Sequence, residues 1–255
     1  MHHIFVETDA LDSSKKNLTV RGENFHHMIH VLRMKEGDEF SVSVQGDEGK
    51  EYRFGIEEIR DDEAFCILRF IKEQGSELPA RVILLQGLPK SDKMEMIVQK
   101  TVELGISEIV PVAMKRCVVK LDDKKATSRV DRWNKIAESA AKQSKRGTIP
   151  QVTKVMEFKE ALTYVKEASL KLIPYEMADM SAMEQTRKLI RSAISDNSKQ
   201  VKTVAYIIGP EGGFTEEEVS AAAEVGFQTI TLGGRILRTE TAGLVVMSWL
   251  MYELE

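Results

Sequence analysis

The chain has 255 residues, 42% hydrophobic and 30% charged, with a formal net charge of −4. This balance excludes a disordered or collagenous chain and a global polycation, but leaves room for a local basic patch. Two cysteines, Cys66 and Cys117, fit a reducing compartment better than a disulfide framework. The apolar runs fall short of the roughly 20 residues of a membrane helix. The start, Met1 to Val6, lacks the pattern of a signal peptide, so a cytoplasmic protein is expected.

In chain order, Ile4–Val6, Leu18–Val20, Glu39–Val44, Tyr52–Ile59 and Phe65–Ile71 read as short strands. Phe40, Val42 and Val44 alternate with Glu39, Ser41 and Ser43, and Gly46-Asp47-Glu48-Gly49 has hairpin-turn chemistry. Glu23–Leu32 reads as a short helix between the second and third strands. Short strands plus one helix predict a small barrel over 1–73. A polar stretch with Gly75 and Pro79 marks the boundary, and 74–255 forms the second domain.

From Arg81 the pattern becomes strand and helix in alternation. Strands are predicted at Val82–Gln86, Glu108–Val112, Leu170–Pro174, Thr203–Ile208 and Phe227–Leu232. Helices are predicted at Lys90–Leu104, Arg129–Lys145, Phe158–Lys166, Ser181–Ser195, Thr215–Val225 and Thr239–Leu254. Near-continuous apolar strands alternating with helices imply an α/β domain whose parallel sheet is covered on both faces.

Two strands of this domain end in glycines. After Ile208 comes Gly209-Pro210-Glu211-Gly212-Gly213-Phe214, followed by Thr215 and Glu218 at capping-box spacing. After Thr231 comes Leu232-Gly233-Gly234-Arg235-Ile236-Leu237-Arg238, with Thr239 or Thr241 able to cap the next helix. Ligands of open α/β sheets bind at the carboxyl ends of strands, where glycine lets backbone approach them. Neither loop has the G-x-G-x-x-G or P-loop phosphate signature, which argues against a nucleotide dehydrogenase or NTPase. A third strand ends in Pro174-Tyr175-Glu176.

Charge is segregated. Residues 112–146 carry eleven Lys and Arg against four Asp and Glu, a net +7, whereas residues 1–72 carry a net −5. A basic stretch in an acidic chain is either a solvated helix face or a site for an anionic partner such as RNA. His26, His27 and His30 lack the partners of a zinc site and read as packing or RNA contacts; no metal is expected. Cys117 reads as a structural thiol, since no histidine base lies near it in sequence.

Several of these blocks resemble the ribosomal RNA small subunit methyltransferase E family, a branch of the SPOUT methyltransferases. They are Phe25–Arg33, Lys90–Glu95, Gln99–Gly105, Arg116–Lys120, Arg132-Trp133, Ala140–Ser144, Ile208–Phe214 and Leu232–Ala242. The resemblance covers essentially the whole chain. It implies a PUA-like β-barrel for RNA recognition, then a SPOUT α/β domain ending in a deep trefoil knot. It also implies a homodimer that uses S-adenosylmethionine to methylate N3 of one uridine in 16S rRNA.

By the same resemblance, Tyr175, Glu176, Gly209, Pro210, Glu211, Gly212, Gly213, Leu232, Gly233, Ile236, Leu237, Arg238, Thr241 and Ala242 surround the cofactor. Arg238 and Glu211 are the candidates for chemistry. Arg238 could stabilise a uridine anion; Glu211 could accept the N3 proton or instead hold cofactor or backbone groups. Arg33, Lys90, Lys93, Arg116, Lys120, Lys142, Lys145 and Arg146 are the expected RNA contacts. Two other readings share parts of this pattern: a SPOUT enzyme acting on a tRNA ribose hydroxyl, and a non-catalytic RNA-binding assembly factor.

Overall fold

The structure is a computed structural model describing residues 2–47, 49–73, 75–175, 182–195 and 202–255. The chain forms two compact units: Met1–Glu77 with Ala141–Thr148, and Leu78–Ala140 with Ile149–Glu255.

The first unit contains β1 (His3–Val6), β2 (Asn17–Arg21), β3 (Glu39–Val44), β4 (Lys50–Ile59) and β5 (Glu63–Glu73), in the order β1-β3-β4-β5-β2. One face of the sheet closes on a core in which Ile4, Leu18, Phe40, Val42, Tyr52, Phe54 and Ile56 are at most 1% exposed. Two register shifts along β4 against β5 sharpen the curl. The strand order is an open path with β1 and β2 at its edges, so the expected barrel is a curled half-barrel.

Helix α1 (Gly22–His26) continues into a wider turn, His27–Val31, where the Leu32 N–H bonds to the His27 carbonyl at 2.9 Å. Phe25 and Met28 point into the core, leaving His26, His27 and His30 exposed. The outer face of β3 is covered too, with Ser41 and Ser43 only 6% and 1% exposed. Residues 141–148 belong to this unit. Burial, together with the charges of Lys142 and Lys145, holds the His3 imidazole below its ordinary pKa against the opposing pull of Glu51.

The second unit contains β6 (Arg81–Gly87), α2 (Lys93–Glu103), β7 (Glu108–Ala113), α3 (Asp123–Ser144, whose last turn belongs to the first unit), β8 (Gln151–Val152) and β9 (Met156–Glu157). It continues with α4 (Phe158–Tyr164), β10 (Leu170–Pro174), α5 (Ala182–Ser195), β11 (Thr203–Ile208), α6 (Glu216–Glu224), β12 (Gln228–Ile230) and α7 (Thr239–Leu254). Its sheet runs β12-β10-β11-β6-β7-β8, every pair parallel, with β9 also on β7. Val82 to Leu85 are at most 3% exposed, as a strand covered on both faces requires. The two-residue strands β8 and β9 are too short to show a period in sequence. Helix α3 begins six residues before the predicted Arg129, because the Asp122 carboxylate accepts the Lys125 N–H at 2.8 Å and caps it.

Because β10, β11 and β12 are parallel neighbours, their carboxyl ends lie along one edge of the sheet. The loops beginning at Gly209 and Thr231 therefore leave the sheet next to Tyr175 at the end of β10.

Candidate functional site: a cavity at the strand ends

Pro174 and Tyr175 at the end of β10, with the loops that begin at Gly209 and Thr231, line a cavity of about 610 Å³. Of the expected cofactor residues, Tyr175, Gly209 to Gly213, Leu232, Gly233, Ile236, Leu237, Arg238 and Ala242 line it. Thr241 is exposed and is not in the wall, and Glu176 lies outside the described residues. Lys93, Gly234, Arg235 and Thr239 line it as well.

The middle loop is tied down from several directions. At its exit, Thr215 and Glu218 form the capping box their spacing predicts, with bonds of 3.2 and 2.9 Å. At its entry, the Thr239 hydroxyl donates to the Gly209 carbonyl at 2.7 Å and accepts from Gln86 Nε2 at 3.0 Å. This corrects the capping expectation for the last helix. Arg238 takes the cap position without a side-chain bond, and Thr239 bridges a buried carbonyl instead. Gln86, fully buried at the end of β6, is a site-building residue that sequence reasoning missed. Its signal was a polar side chain closing an otherwise apolar strand, since a buried amide needs partners.

Glu211 is clamped from outside the loop. Its carboxylate accepts the Lys90 N–H at 3.1 Å and the Lys93 ammonium at 2.9 Å, and Lys93 also lies 3.3 Å from Glu240. Burial raises the Glu211 pKa, but Lys93 and the backbone N–H groups outweigh it and hold the carboxyl below its ordinary range. The Glu211 hydrogen bond in turn raises the Lys93 pKa against desolvation, with Glu240 adding to it. A carboxylate so held is a poor proton acceptor. In this structure the carboxylate holds the Lys90 backbone N–H. If the cavity holds the cofactor that the resemblance implies, Glu211→Gln should weaken S-adenosylhomocysteine binding by about tenfold, the scale of a lost charge-assisted bond. It should leave the shape of the pH–rate profile for methyl transfer unchanged, a comparison that calorimetry and single-turnover kinetics can make.

The expected RNA contacts fall into distinct groups. Arg33, Lys90, Arg116, Lys120 and Lys145 are exposed, and Lys142 is half-buried. Lys93 is instead part of the cavity wall, engaged with two carboxylates. Arg146 is 3% exposed and bonded to Glu77 at 2.5 to 3.1 Å, which removes it from the surface. Among the described residues, no group of three or more His, Cys, Asp and Glu side chains could hold a metal ion. Burial raises the pKa of the Cys117 thiol, opposite to what a nucleophile needs.

The fit to an adenosyl ligand follows from the donors present. Five glycines line the cavity and offer backbone N–H and C=O groups close to its surface, suited to neutral adenine and ribose edges. The volume falls in the usual range for a small-molecule site.

Residues 76–251 match the RNA methyltransferase domain family and residues 20–69 the RNA methyltransferase PUA domain. A curled PUA-type sheet with a parallel α/β unit and a glycine-walled cavity is thus an RNA methyltransferase of the SPOUT type. The chain belongs to the ribosomal RNA small subunit methyltransferase E family. It is 36% identical to the Bacillus subtilis member, over 100% of this chain and 98% of that one. It is 30% identical to the Synechocystis member, over 91% and 71% of the two chains. The crystal structure of the Neisseria gonorrhoeae member bound to S-adenosylmethionine is similar with a TM-score of 0.79 at 30% identity, over 99% and 97% of the chains. S-adenosylmethionine is the cofactor and ribosomal RNA the substrate class. Among the described residues, no helix is long and apolar enough to cross a membrane.

Proposed function

We propose that the protein methylates N3 of one uridine in 16S rRNA, as a cytoplasmic homodimer whose C-terminal segment is threaded as a trefoil knot. The observation that carries the reading is the cavity at the ends of β10, β11 and β12, with the Arg238 guanidinium at its rim. S-adenosylmethionine supplies an electrophilic methyl group on a sulfonium. The glycine loops would hold its adenosyl part, and Lys93, Glu211 and Thr239 keep those loops in place.

Uridine N3 lies on the Watson–Crick edge, so the base must be unpaired or turned out to reach the cavity. N3 must also lose its proton before it can attack carbon. Arg238, which lines the cavity with its side chain 81% exposed, would stabilise the resulting anion. The exposed cations Arg116 and Lys120, with Arg33 in the loop before β3, would contact phosphates.

The test is methyl transfer to small ribosomal subunits that lack the modification and, in parallel, to unmodified tRNA, with mass mapping of the product nucleoside. N3-methyluridine is the expected product. A ribose-methylated nucleoside in tRNA, or no transfer at all, would favour one of the other two readings. In the same assay Arg238→Ala should lower the single-turnover rate by about a hundredfold or more while changing subunit affinity little, as for a group that acts mainly in the transition state.

The dimer reading rests on α7. Val246, Met247 and Leu250 are buried, yet Leu244, Val245, Trp249 and Met251 are only partly covered and Tyr252 is 74% exposed. Light scattering at micromolar concentration should return twice the chain mass, and a monomer mass would rule the dimer out.

A further inference from the structure

The segment after β7 is a cationic arm carrying Lys115, Arg116 and Lys120, all exposed, with Val118 exposed between them. Its base is fastened to the middle cofactor loop. The Arg116 Nη1 donates to the Gly212 carbonyl at 3.0 Å. The Lys115 N–H donates at 2.8 Å to Glu218, the same buried carboxylate that closes the capping box just past the loop. Packing there is tight: a Cβ on Gly212 would lie 2.9 Å from Arg116 Cβ and 3.2 Å from its carbonyl oxygen. Only a glycine lets the two backbones approach so closely.

We propose that Arg116 is a positioning residue that couples RNA binding to cofactor binding. A guanidinium has five N–H donors in a rigid fork. The bond to Gly212 uses one of them and leaves others for a phosphate, which takes two in parallel. A phosphate on the fork fixes the arginine, and the fixed arginine holds the Gly212 carbonyl in the loop that lines the cavity. In the other direction, a cofactor that orders the loop presents the fork ready for phosphate. By linkage each ligand strengthens the other by the same factor. The inference rests on the reading above that RNA phosphate is the anion reaching this arm.

The experiment is equilibrium dialysis of radiolabelled S-adenosylhomocysteine, with and without saturating small ribosomal subunits that lack the modification. The full-length wild type is compared with Arg116→Ala, Arg116→Lys and Lys120→Ala. Wild-type affinity for S-adenosylhomocysteine should rise about fivefold with subunits, within the usual span of coupling. Arg116→Ala should bind S-adenosylhomocysteine several-fold more weakly alone and show no rise. Arg116→Lys keeps a point charge but no fork, so it should keep most of its subunit affinity and lose the rise. Lys120→Ala should lose subunit affinity and keep the rise. A wild-type coupling factor in Arg116→Ala would overturn the proposal. So would a wild-type protein that binds both ligands without coupling, which leaves the RNA reading standing. A wild-type protein that binds S-adenosylhomocysteine but not the subunits would overturn the RNA reading and the proposal together.

Discussion

Arg146→Met should destabilise the first unit by about 3–5 kcal/mol, the range for breaking a buried ion pair by removing one partner. Helix α3 ends at Ser144, and Lys145 takes a left-handed backbone with φ of 58°. The Arg146 N–H then bonds back to the Ala141 carbonyl at 2.9 Å, the closing bond of a Schellman turn. That turn sends the Arg146 guanidinium inward to Glu77, whose carboxylate also takes the Gly147 N–H at 2.9 Å. Removing the arginine leaves a largely buried carboxylate with the Gly147 N–H and the Thr148 hydroxyl in place of a guanidinium. Glu77→Gln with Arg146→Met should cost less than the two single changes added, because neither charge is then stranded. Urea unfolding followed by amide exchange in β1 and β3 reads all three variants.

The pH dependence has a definite sign. Burial raises the Glu77 pKa, but the hydrogen bonds and charge of Arg146 outweigh it, and the folded carboxyl lies below its ordinary value. The stabilisation is therefore complete above the unfolded pKa, near about 4.3, and is lost as pH falls through the lower folded value. The gap between wild type and Glu77→Gln should be widest near neutral pH and should close in acid. A gap that widened in acid would contradict the assignment. Neutralising Arg146 together with Lys142 and Lys145 would report on this packing as much as on phosphate contacts.

Gly233→Val should leave a folded protein that binds S-adenosylhomocysteine roughly tenfold to a hundredfold more weakly. Gly233 has a φ of 97°, a conformation β-branched residues avoid at a cost of about 1–3 kcal/mol. Space is a secondary matter, because the added Cβ would meet only the flexible end of Met183 at 3.3 Å. Backbone strain would shift the loop that runs from Thr231 to Thr239 in the cavity wall. Circular dichroism checks the fold and calorimetry the affinity. A folded variant with unchanged affinity would place the cofactor elsewhere.

What the sequence alone determined was local. The strand at Phe40 to Val44, the apolar runs of β6, β7 and β11, and the capping box at Thr215 and Glu218 rest on neighbours a few residues apart, and each is present, although burial of Ser41 and Ser43 means that the period-two alternation does not carry into exposure. The two glycine loops were legible for the same reason, since strand, turn and helix signals follow directly along the chain. Tertiary structure decided what depends on distant partners. It set β12 beside β10 and β11 between β10 and β6, and so placed three strand ends on one edge. It drew Thr239 from helix capping to the Gly209 carbonyl, and it engaged Lys93 with Glu211 and Glu240 and Arg146 with Glu77. A lysine or arginine reads the same in sequence whether it faces solvent or a buried carboxylate. The carboxylate that decides between them lies 118 residues away for Lys93 and 69 for Arg146, and only folding brings it within a hydrogen bond.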